Sequence, residues 1–588
     1  MRRIVALVAV VAVVTCAAPA DAIDAYPKTV LAELGSATWC SYCPQAYQGL
    51  AVVHGSYDPS EFVSVRYYAA SGSYGSPDVT AALAYYGISS YPTTIFNGTV
   101  RIGGGGTAVA SGAPYLGAVE ATYFDPAPVQ IEIDGFDPAT GAIDATVTMH
   151  SQTASLNGDH IRFLLLEDNI ASYHTRVTRD IVNTTITLTG AGNTAVFHES
   201  FAVDPSWDQT ELHAVVFVQR AADQAVLQAA ATEPAPDFRV RAVVPTSRMQ
   251  IGPSNGAFNG DDFTVVNTGL GDTFTISLVV DEAPPGWVAS FCDAGGGCHM
   301  DPYPFALRTD GSTEFRATVI PSSPGMMRYH FEIDSPNLAE PHVVPFTYFT
   351  DDLDAVVVDD DGGESYETYF TAALDAAGAT YGVWDLAKSK LTPEAAQAFD
   401  LLIWNVGWAF PSLDADDRDF LEAYLDDGRN LFLSGQDIGW DLNTTDSGNY
   451  APTFYTDYLH ATFVSDDTNN YDLLGVAGDP VSDGLDLYIA GGDGANNQQY
   501  PSRIAPADGD GTEIFHYSSG GAGAIRSTDS TSGARIVYLA FGYEGIDNPT
   551  DRAALMGAAV GWLAVDQGEI FADGFESGDT TAWSSDVP

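Results

Sequence analysis

The feature that most constrains this chain is a C-x-x-C pair, Cys40 and Cys43, between an apolar run at residues 29–34 and a segment with helical spacing at residues 45–53. The run predicts a buried strand, so the pair lies at a strand-to-helix turn with Cys40 at the helix N-terminus. Unpaired backbone N–H groups and the helix dipole stabilise a thiolate there. Cys43, one turn deeper, is then placed to attack a mixed disulfide formed by Cys40.

The sequence around the cysteines, and a second segment downstream, extend this pattern. Residues 35–44 read Gly-Ser-Ala-Thr-Trp-Cys-Ser-Tyr-Cys-Pro, and residues 87–98 contain Tyr91-Pro92 followed by an apolar run. Together they resemble the active site of the thioredoxin fold. The version found in secreted bacterial proteins with an N-terminal thioredoxin-like domain is the most similar. The resemblance implies a cis-proline at Pro92 that faces the cysteine pair and precedes a strand.

The same resemblance implies roles for five residues in thiol–disulfide exchange. Cys40 is expected to attack the substrate, Cys43 to resolve the mixed disulfide, and Pro92 to orient the substrate chain. Trp39 and Tyr91, their neighbours in the sequence, are expected in substrate binding. The rival interpretation of a C-x-x-C is half of a zinc site. Zinc takes four ligands, and no second C-x-x-C or Cys-His pair accompanies this one, so we prefer the redox interpretation.

This chain departs from an ordinary thioredoxin at two places. The buried acid that the family carries behind its cysteines falls near Leu34, and Glu33 is one residue away. Between the cysteines stand Ser41 and Tyr42, so no cation there lowers the pKa of Cys40 beyond the helix-end effect. We therefore expect a redox couple that is not strongly oxidising.

The length of the chain and its net charge limit the number of domains and the kinds of partner. The chain has 588 residues, which predicts several domains. Its 78 acidic and 23 basic residues give a net charge of −55, which argues against nucleic acid and anionic membranes as partners. The charge favours a soluble extracellular protein, in salty or calcium-containing medium. The alternative is that the carboxylates serve solvation alone.

The N-terminus has the layout of a secretory signal. Arg2 and Arg3 precede an apolar run at residues 4–14, and small residues lead to an expected cleavage after Ala22. Lipidation at Cys16 is a less favoured alternative. No later stretch is long and apolar enough to span a bilayer. The four remaining cysteines form two close pairs, which suits an oxidising compartment, so we expect a secreted, periplasmic or cell-surface protein.

The hydropathy pattern changes several times along the chain and predicts a multidomain protein of α/β and all-β parts. Short runs of alternating polarity between Gly, Asn and Asp turns indicate antiparallel β-sandwiches in the middle. The predicted units are a signal peptide at 1–22, a thioredoxin-like domain at 23–125, a β-sandwich at 126–235, an immunoglobulin-like β-sandwich at 236–350, an α/β domain at 351–566, and an acidic tail at 567–588.

The second predicted sandwich contains the other pair of cysteines. Cys292 and Cys298 flank a short glycine-rich loop, whose glycines allow so few residues to close a turn. We therefore expect a structural disulfide that joins the two strands of a hairpin.

Beyond residue 350 the order of elements becomes that of a doubly wound sheet with helices on both faces. Continuous apolar runs predict strands at 355–358, 401–404, 431–434 and 536–541, and helices are predicted at 364–377, 415–427 and 551–564.

Two segments of this region, 400–405 and 428–437, resemble the class I glutamine-amidotransferase-like, flavodoxin-like fold. That family uses a cysteine nucleophile on the turn after a strand, and this domain contains no cysteine. Amidotransfer is therefore not expected. Ser434 could act as a hydrolase nucleophile only if His460 or His516 approached it in the fold.

Carboxylates in the same region suggest a different role. Asp360, Asp361 and Asp437 follow predicted strands, and ligands of such sheets bind outside the carboxyl ends of the strands. A calcium or sugar site is one interpretation. The preferred one is that these residues cap helices and solvate loops. No other cofactor is predicted.

Two functions follow from the sequence. The first is an exported thiol–disulfide oxidoreductase whose partners are protein thiols or disulfides. The second is a non-catalytic secreted or cell-surface binding protein, in which the C-x-x-C is a structural disulfide and the other domains bind an unknown extracellular ligand.

Overall fold

The computed structural model describes residues 25–69, 74–170 and 174–564. The predicted signal peptide at 1–22 and the acidic tail at 567–588 lie outside the described residues. Within them the protein is a β-rich, multidomain mixture of strands and helices. No helix among the described residues is long and apolar enough to cross a membrane.

The first region alternates strands and helices. Pro44 stands in the first turn of its first long helix, where proline lacks only an N–H that would be unpaired anyway. The elements are β1 (Tyr26–Pro27), β2 (Val30–Ser36), α1 (Cys43–Ser56), β3 (Phe62–Tyr68), α2 (Pro77–Tyr85), β4 (Thr93–Phe96), β5 (Val100–Gly103), α3 (Thr107–Ser111) and α4 (Ala113–Tyr123).

Strand β2 is central to this region and has a helix on each face. It runs parallel to β3 and antiparallel to β4, which forms a hairpin with β5. Because successive side chains of a strand point to opposite faces, Leu34 packs with α1 residues such as Leu50, whereas Leu31 packs with α2 residues such as Leu83.

The second region is made of strands. They are β6 (Pro126–Ala127), β7 (Val129–Phe136), β8 (Ala142–Met149), β9 (Ser155–Glu167), β10 (Val177–Thr189), β11 (Thr194–Ser200), β12 (Leu212–Gln219) and β13 (Val226–Ala231). A three-stranded sheet, β11-β8-β7, packs on β9 and β12 through one apolar cluster.

The larger sheet continues across the predicted boundary at residues 125 and 126. Its eight strands have the order β13-β12-β9-β10-β3-β2-β4-β5, and β10 pairs in parallel with β3. The division into two domains at this point stays a prediction, and a single hydrogen-bonded sheet spans it.

The third region contains two further sheets that face each other across an aromatic core. Its strands are β14 (Val240–Val243), β15 (Met249–Gly252), β16 (Phe258–Asn259), β17 (Phe263–Asn267), β18 (Asp272–Glu282), β19 (Val288–Asp293), β20 (Cys298–His299), β21 (Tyr303–Leu307), β22 (Ser312–Ile320), β23 (Met326–Asp334) and β24 (His342–Thr350).

The fourth region begins with alternating strands and helices. These are β25 (Ala355–Asp359), α5 (Glu367–Ala377), β26 (Tyr381–Asp385), α6 (Pro393–Ala396), β27 (Leu401–Gly407), α7 (Ala415–Asp426), β28 (Asn430–Gly435), α8 (Ile438–Asn443) and α9 (Pro452–Asp457). It continues with β29 (Ala461–Ser465), β30 (Asp472–Gly475), β31 (Asp486–Tyr488), β32 (Arg503–Pro506), β33 (Gly511–Tyr517), β34 (Ala522–Thr528), β35 (Arg535–Leu539), a 3₁₀ helix (Tyr543–Gly545) and α10 (Pro549–Leu563).

Five strands of this region, β26-β25-β27-β28-β35, are parallel neighbours, and antiparallel strands continue the sheet from β35. Val357 on β25 packs in one cluster with residues of α5 and α10, whereas Val356 and Val358 pack in another with residues of α7. The parallel strands are therefore covered on both faces, which explains their continuous apolar runs.

Buried arginines join the regions. Arg241, at the start of the third region, donates hydrogen bonds to the carbonyl oxygens of Lys28 (2.9 Å) and Ser60 (3.3 Å). Its guanidinium lies 4.2 Å from the ring centroid of Tyr123. Arg248 donates to the carbonyl oxygens of Glu120 and Lys388, at 3.0 and 2.6 Å. The guanidinium groups thus satisfy main-chain acceptors from several regions at once.

We expect Arg241→Ala to lower the free energy of unfolding by about 2–4 kcal/mol, because it leaves buried carbonyl oxygens without a donor. Arg316→Ala is the matched control, since that side chain is 42% exposed and pairs only at 3.6 Å with Asp262. Its cost should stay within about 0.5 kcal/mol. Denaturant unfolding of the two variants measures the difference, and equal costs would contradict the role of Arg241.

Candidate active site

The two cysteines of the C-x-x-C form a disulfide at the start of α1, with a Cα–Cα distance of 5.5 Å. Cys40 is partly exposed, whereas Cys43, the first residue of the helix, is only 6% exposed. The backbone N–H of Cys43 donates to the sulfur of Cys40 at 3.1 Å. An incoming group can therefore reach Cys40 more easily, and a helix N-terminal N–H already points at its sulfur.

The turn with the cysteines is contacted by the Tyr91–Pro92 segment and by the loop of residues 104–106. The Tyr91–Pro92 peptide bond is cis, and the Pro92 carbonyl accepts a hydrogen bond from the Gly104 N–H at 2.9 Å. The ring of Tyr91 contacts that of Trp39 edge to face, with 5.9 Å between centroids. A Cβ at Gly105 would lie 2.8 Å from the Tyr42 carbonyl oxygen, so only glycine allows the loop of residues 104–106 to approach the cysteine turn this closely.

The surface beside Cys40 is aromatic. Trp39 and Tyr42 are 64% and 59% exposed, and Tyr91 is partly exposed. Aromatic side chains contribute large apolar contact areas, and exposed ones placed close together are typical of binding surfaces. The predicted binding residues Trp39 and Tyr91 thus lie together, and Tyr42 is an addition that the sequence did not single out for binding.

Glu33 lies on the other face of the sheet. Its carboxylate accepts hydrogen bonds from the hydroxyl groups of Tyr67 (2.7 Å) and Tyr86 (2.5 Å), and Gln219 of β12 donates to Tyr86 at 2.6 Å. Because Glu33 alternates with Leu34, which packs against α1, its carboxyl group faces α2. Glu33 therefore connects the first region to the second and does not lie on the α1 side.

Complete burial raises the pKa of Glu33, and the two tyrosine hydrogen bonds offset only part of this effect. The protonated form therefore stabilises the fold fully at low pH, and this contribution is lost as pH rises through the raised pKa. As pH rises from about 5, above the ordinary pKa of glutamate, the unfolding free energy of the wild type should fall relative to that of Glu33→Gln.

The measurement is denaturant unfolding across this pH range. The exposed residue Glu340 offers the control, and Glu340→Gln should follow the wild-type curve. Parallel curves for the wild type and Glu33→Gln would contradict a raised pKa at Glu33.

The second pair of cysteines lies apart from this site. Cys292 and Cys298 occupy paired positions of β19 and β20 and form a disulfide. In the loop between them, Asp293 accepts a hydrogen bond from the Gly297 N–H, and its other carboxylate oxygen contacts His299 at 2.9 Å. The disulfide thus joins two strands of a hairpin whose loop has its own polar contacts.

The three aspartates singled out in the α/β region lie in three different surroundings. Asp360 accepts a hydrogen bond from the indole N–H of Trp404 at 2.9 Å. Asp361 belongs to a group of carboxylates at the end of β25 with Asp359 and Glu367. Asp437 interacts with Asp466, and burial together with this second carboxyl group raises the pKa of Asp437 to about 7. The sequence prediction had not identified Asp359 or Glu367.

Ser434 has a structural environment. Its hydroxyl donates to the Phe541 carbonyl oxygen at 3.1 Å and accepts from the Tyr543 N–H at 2.7 Å. His460 pairs instead with Asp508 at 2.9 Å, and His516 lies 3.5 Å from Glu513. Neither histidine hydrogen-bonds Ser434 in the part of the chain that the structure describes, so the condition for a serine nucleophile is not met there.

No family model matches this chain, and no curated protein matches it. Solved structures with partial similarity include the exo-β-1,4-mannosidase Op5Man5 from an Opitutaceae bacterium, at 10% identity and a TM-score of 0.25 over 36% of this chain. This chain covers 35% of that enzyme. The N-terminal domain of PorA matches at 11% identity and a TM-score of 0.14, over 19% of this chain and 97% of that domain.

A PapD-like domain of human CEP192 matches at 15% identity and a TM-score of 0.13, over 20% of this chain and 87% of that domain. We take no fold or function from similarities at this level. The functional interpretation therefore depends on the geometry of the chain itself.

Proposed function

We propose that this chain is an exported thiol–disulfide oxidoreductase in which Cys40 is the attacking and Cys43 the resolving cysteine. The observation that carries the proposal is the geometry of the pair: a more exposed Cys40 whose sulfur accepts the N–H of Cys43 at the start of α1. After reduction, this N–H and the helix dipole stabilise a thiolate at Cys40.

The topology of the first region supports a thioredoxin-like domain. The order β2-α1-β3-α2-β4-β5 places parallel β2 and β3 beside antiparallel β4 and β5, with α1 and α2 on opposite faces. The cis Tyr91–Pro92 bond immediately precedes β4. These are the features that the sequence resemblance implies for the surroundings of the cysteine pair.

The reaction exchanges one disulfide for another. In the oxidising direction, a substrate thiolate attacks the sulfur of Cys40, the Cys40–Cys43 bond breaks, and Cys43 leaves as a thiolate. A second substrate thiolate then attacks the mixed disulfide and releases Cys40. The substrate loses two electrons and two thiol protons, the cysteine pair gains the electrons, and the protons pass to solvent. The reducing direction is the reverse.

The surroundings of the pair favour a polypeptide substrate. Trp39, Tyr42 and Tyr91 provide an exposed aromatic surface next to Cys40, suited to apolar side chains of an unfolded or extended chain. Substrate proteins with thiols or disulfides are therefore the proposed partners. In the same proposal, the second and third regions are β-sandwich modules and the fourth is a flavodoxin-like domain without the amidotransferase cysteine.

A second function is favoured by the continuous sheet. Because β10 pairs with β3, the unit with the cysteines is built into a larger β-structure. A structural disulfide in a secreted or cell-surface binding protein is compatible with this arrangement. The two functions differ in their reaction with a substrate thiol. An oxidoreductase exchanges disulfides with it through Cys40, whereas a structural disulfide does not.

In the mature chain, Cys43→Ser with Cys40 as a free thiol should accumulate a mixed disulfide with a disulfide-containing model protein, because Cys40 still attacks the substrate disulfide and no resolving thiol remains. Cys40→Ser should lower exchange at least about 100-fold, since the nucleophile is lost. Mass spectrometry of the trapped adduct and a refolding assay on a reduced, disulfide-containing protein measure these effects.

The double variant Cys292→Ser/Cys298→Ser is the matched control and should keep the wild-type exchange rate. Wild-type exchange in Cys40→Ser, or an adduct that forms equally in the absence of Cys40, would contradict the proposal. Failure of every variant and of the wild type to exchange would favour the binding protein.

A further inference from the structure

The carboxyl ends of three parallel strands bring polar side chains together in the fourth region. Asp359, the last residue of β25, is in register with Asp385 on β26 and with Asn405 on β27. Paired positions of neighbouring strands project their side chains on the same face. These residues therefore share one edge and one face of the sheet, where open α/β sheets bind their ligands.

Three carboxylates converge at this edge. One oxygen each of Asp359, Asp361 and Glu367 lies within 4.8 Å of the other two. Asp361 is buried, and the other two are half-buried. Among the residues that the structure describes, no lysine, arginine or histidine nitrogen lies within 4.0 Å of any of the three. Lys388 pairs with Asp385 instead, at 3.0 Å.

The group also contains buried oxygens without a hydrogen-bond partner. Asn405 is fully buried, and its amide N–H approaches an Asp361 oxygen at 3.4 Å, so the amide lies against the carboxylates. Its carbonyl oxygen has no partner, and neither has Asp359 Oδ1 or Glu367 Oε2. A buried acceptor without a partner has lost its hydrogen bonds to water without replacement, so a ligand that pairs with these oxygens would be stabilising.

Backbone contacts hold the central carboxylate in place. Asp361 accepts hydrogen bonds from the N–H groups of Gly363 (3.1 Å) and Tyr366 (2.9 Å). Gly362 and Gly363 have φ angles of +81° and +91°, which other residues rarely adopt. The turn between β25 and α5 is thereby fixed so that Glu367, the first residue of α5, reaches the end of the strand.

We propose that Asp359, Asp361 and Glu367, beside the buried amide of Asn405, bind a Ca²⁺ ion. Oxygen ligands on one Ca²⁺ lie at about 2.4 Å from the ion and so at most about 4.8 Å apart, as the three carboxylates do. All donors are oxygens, which suits a hard cation and not zinc or copper. Ca²⁺ takes six to eight oxygens in flexible geometry, and water completes the shell.

The test is calorimetric titration of the metal-free, full-length mature chain with CaCl₂ alone, and with MgCl₂ in parallel. We expect one specific Ca²⁺ site, at least tenfold weaker in Asp361→Asn and in Asp359→Asn. The control is Asp400→Asn, which makes the same charge change in the same region at a side chain that is 95% exposed. It should bind as the wild type does.

Thermal unfolding in EDTA separates loss of the site from loss of the fold. Without Ca²⁺, Asp359→Asn should be at least as stable as the wild type, because it relieves repulsion among the carboxylates. With Ca²⁺, the wild type should gain stability and the variant should not. Equal Ca²⁺ binding in all variants, equal affinity for Mg²⁺, no binding to the wild type, or a variant less stable in EDTA would overturn the proposal.

Discussion

The parallel pairing of β10 with β3 is the constraint on which the first half of the molecule depends. Through it, strands more than a hundred residues apart form one sheet, and the turn with the cysteines is anchored to strands of the second region. Buried side chains reinforce the junction. Gln228 of β13 accepts from the Thr29 N–H at 2.8 Å and donates to the Pro27 carbonyl at 2.9 Å, next to the start of β2. The position of Cys40 therefore rests on more than its own strand–helix unit.

The imbalance of charge explains much of the internal chemistry. With 23 basic and 78 acidic residues, carboxylates outnumber basic side chains more than threefold. Several of the arginines lie at buried junctions, where Arg241 and Arg248 bind main-chain oxygens of neighbouring regions. Acidic groups such as Asp437 and Asp466 then lie side by side, which raises the pKa of Asp437. The group at the end of β25 combines three converging carboxylates with buried oxygens that have no hydrogen-bond partner.

Local patterns in the sequence predicted local structure well. The helix predicted at 415–427 is found at Ala415–Asp426, and the apolar run at 355–358 lies in β25. The glycines between Cys292 and Cys298 predicted a closed hairpin loop, which the structure contains. In each case the determining forces act between residues close in the chain, through helical capping, strand alternation or turn geometry.

Non-local features could not be predicted in this way. The pairing of β10 with β3 depends on contacts between distant residues, which strand periodicity does not encode. Asp360 and Asp361 separated because adjacent side chains point in opposite directions, so Asp360 faces Trp404 while Asp361 faces Asn405. Glu367 joined the site only because a glycine turn brought α5 to the strand end. The strand-end positions of Asp359 and Asn405 were the one signal available beforehand.

The most direct test of the redox function is the reduction potential of the Cys40–Cys43 pair. It can be measured on the mature Cys292→Ser/Cys298→Ser variant, in which only this pair titrates, by equilibration with glutathione or dithiothreitol buffers and thiol trapping. The proposed function predicts a potential above about −270 mV, in the range of exchanging catalysts. A potential below about −300 mV, or resistance to reduction in the folded chain, would contradict it and mark the bond as structural.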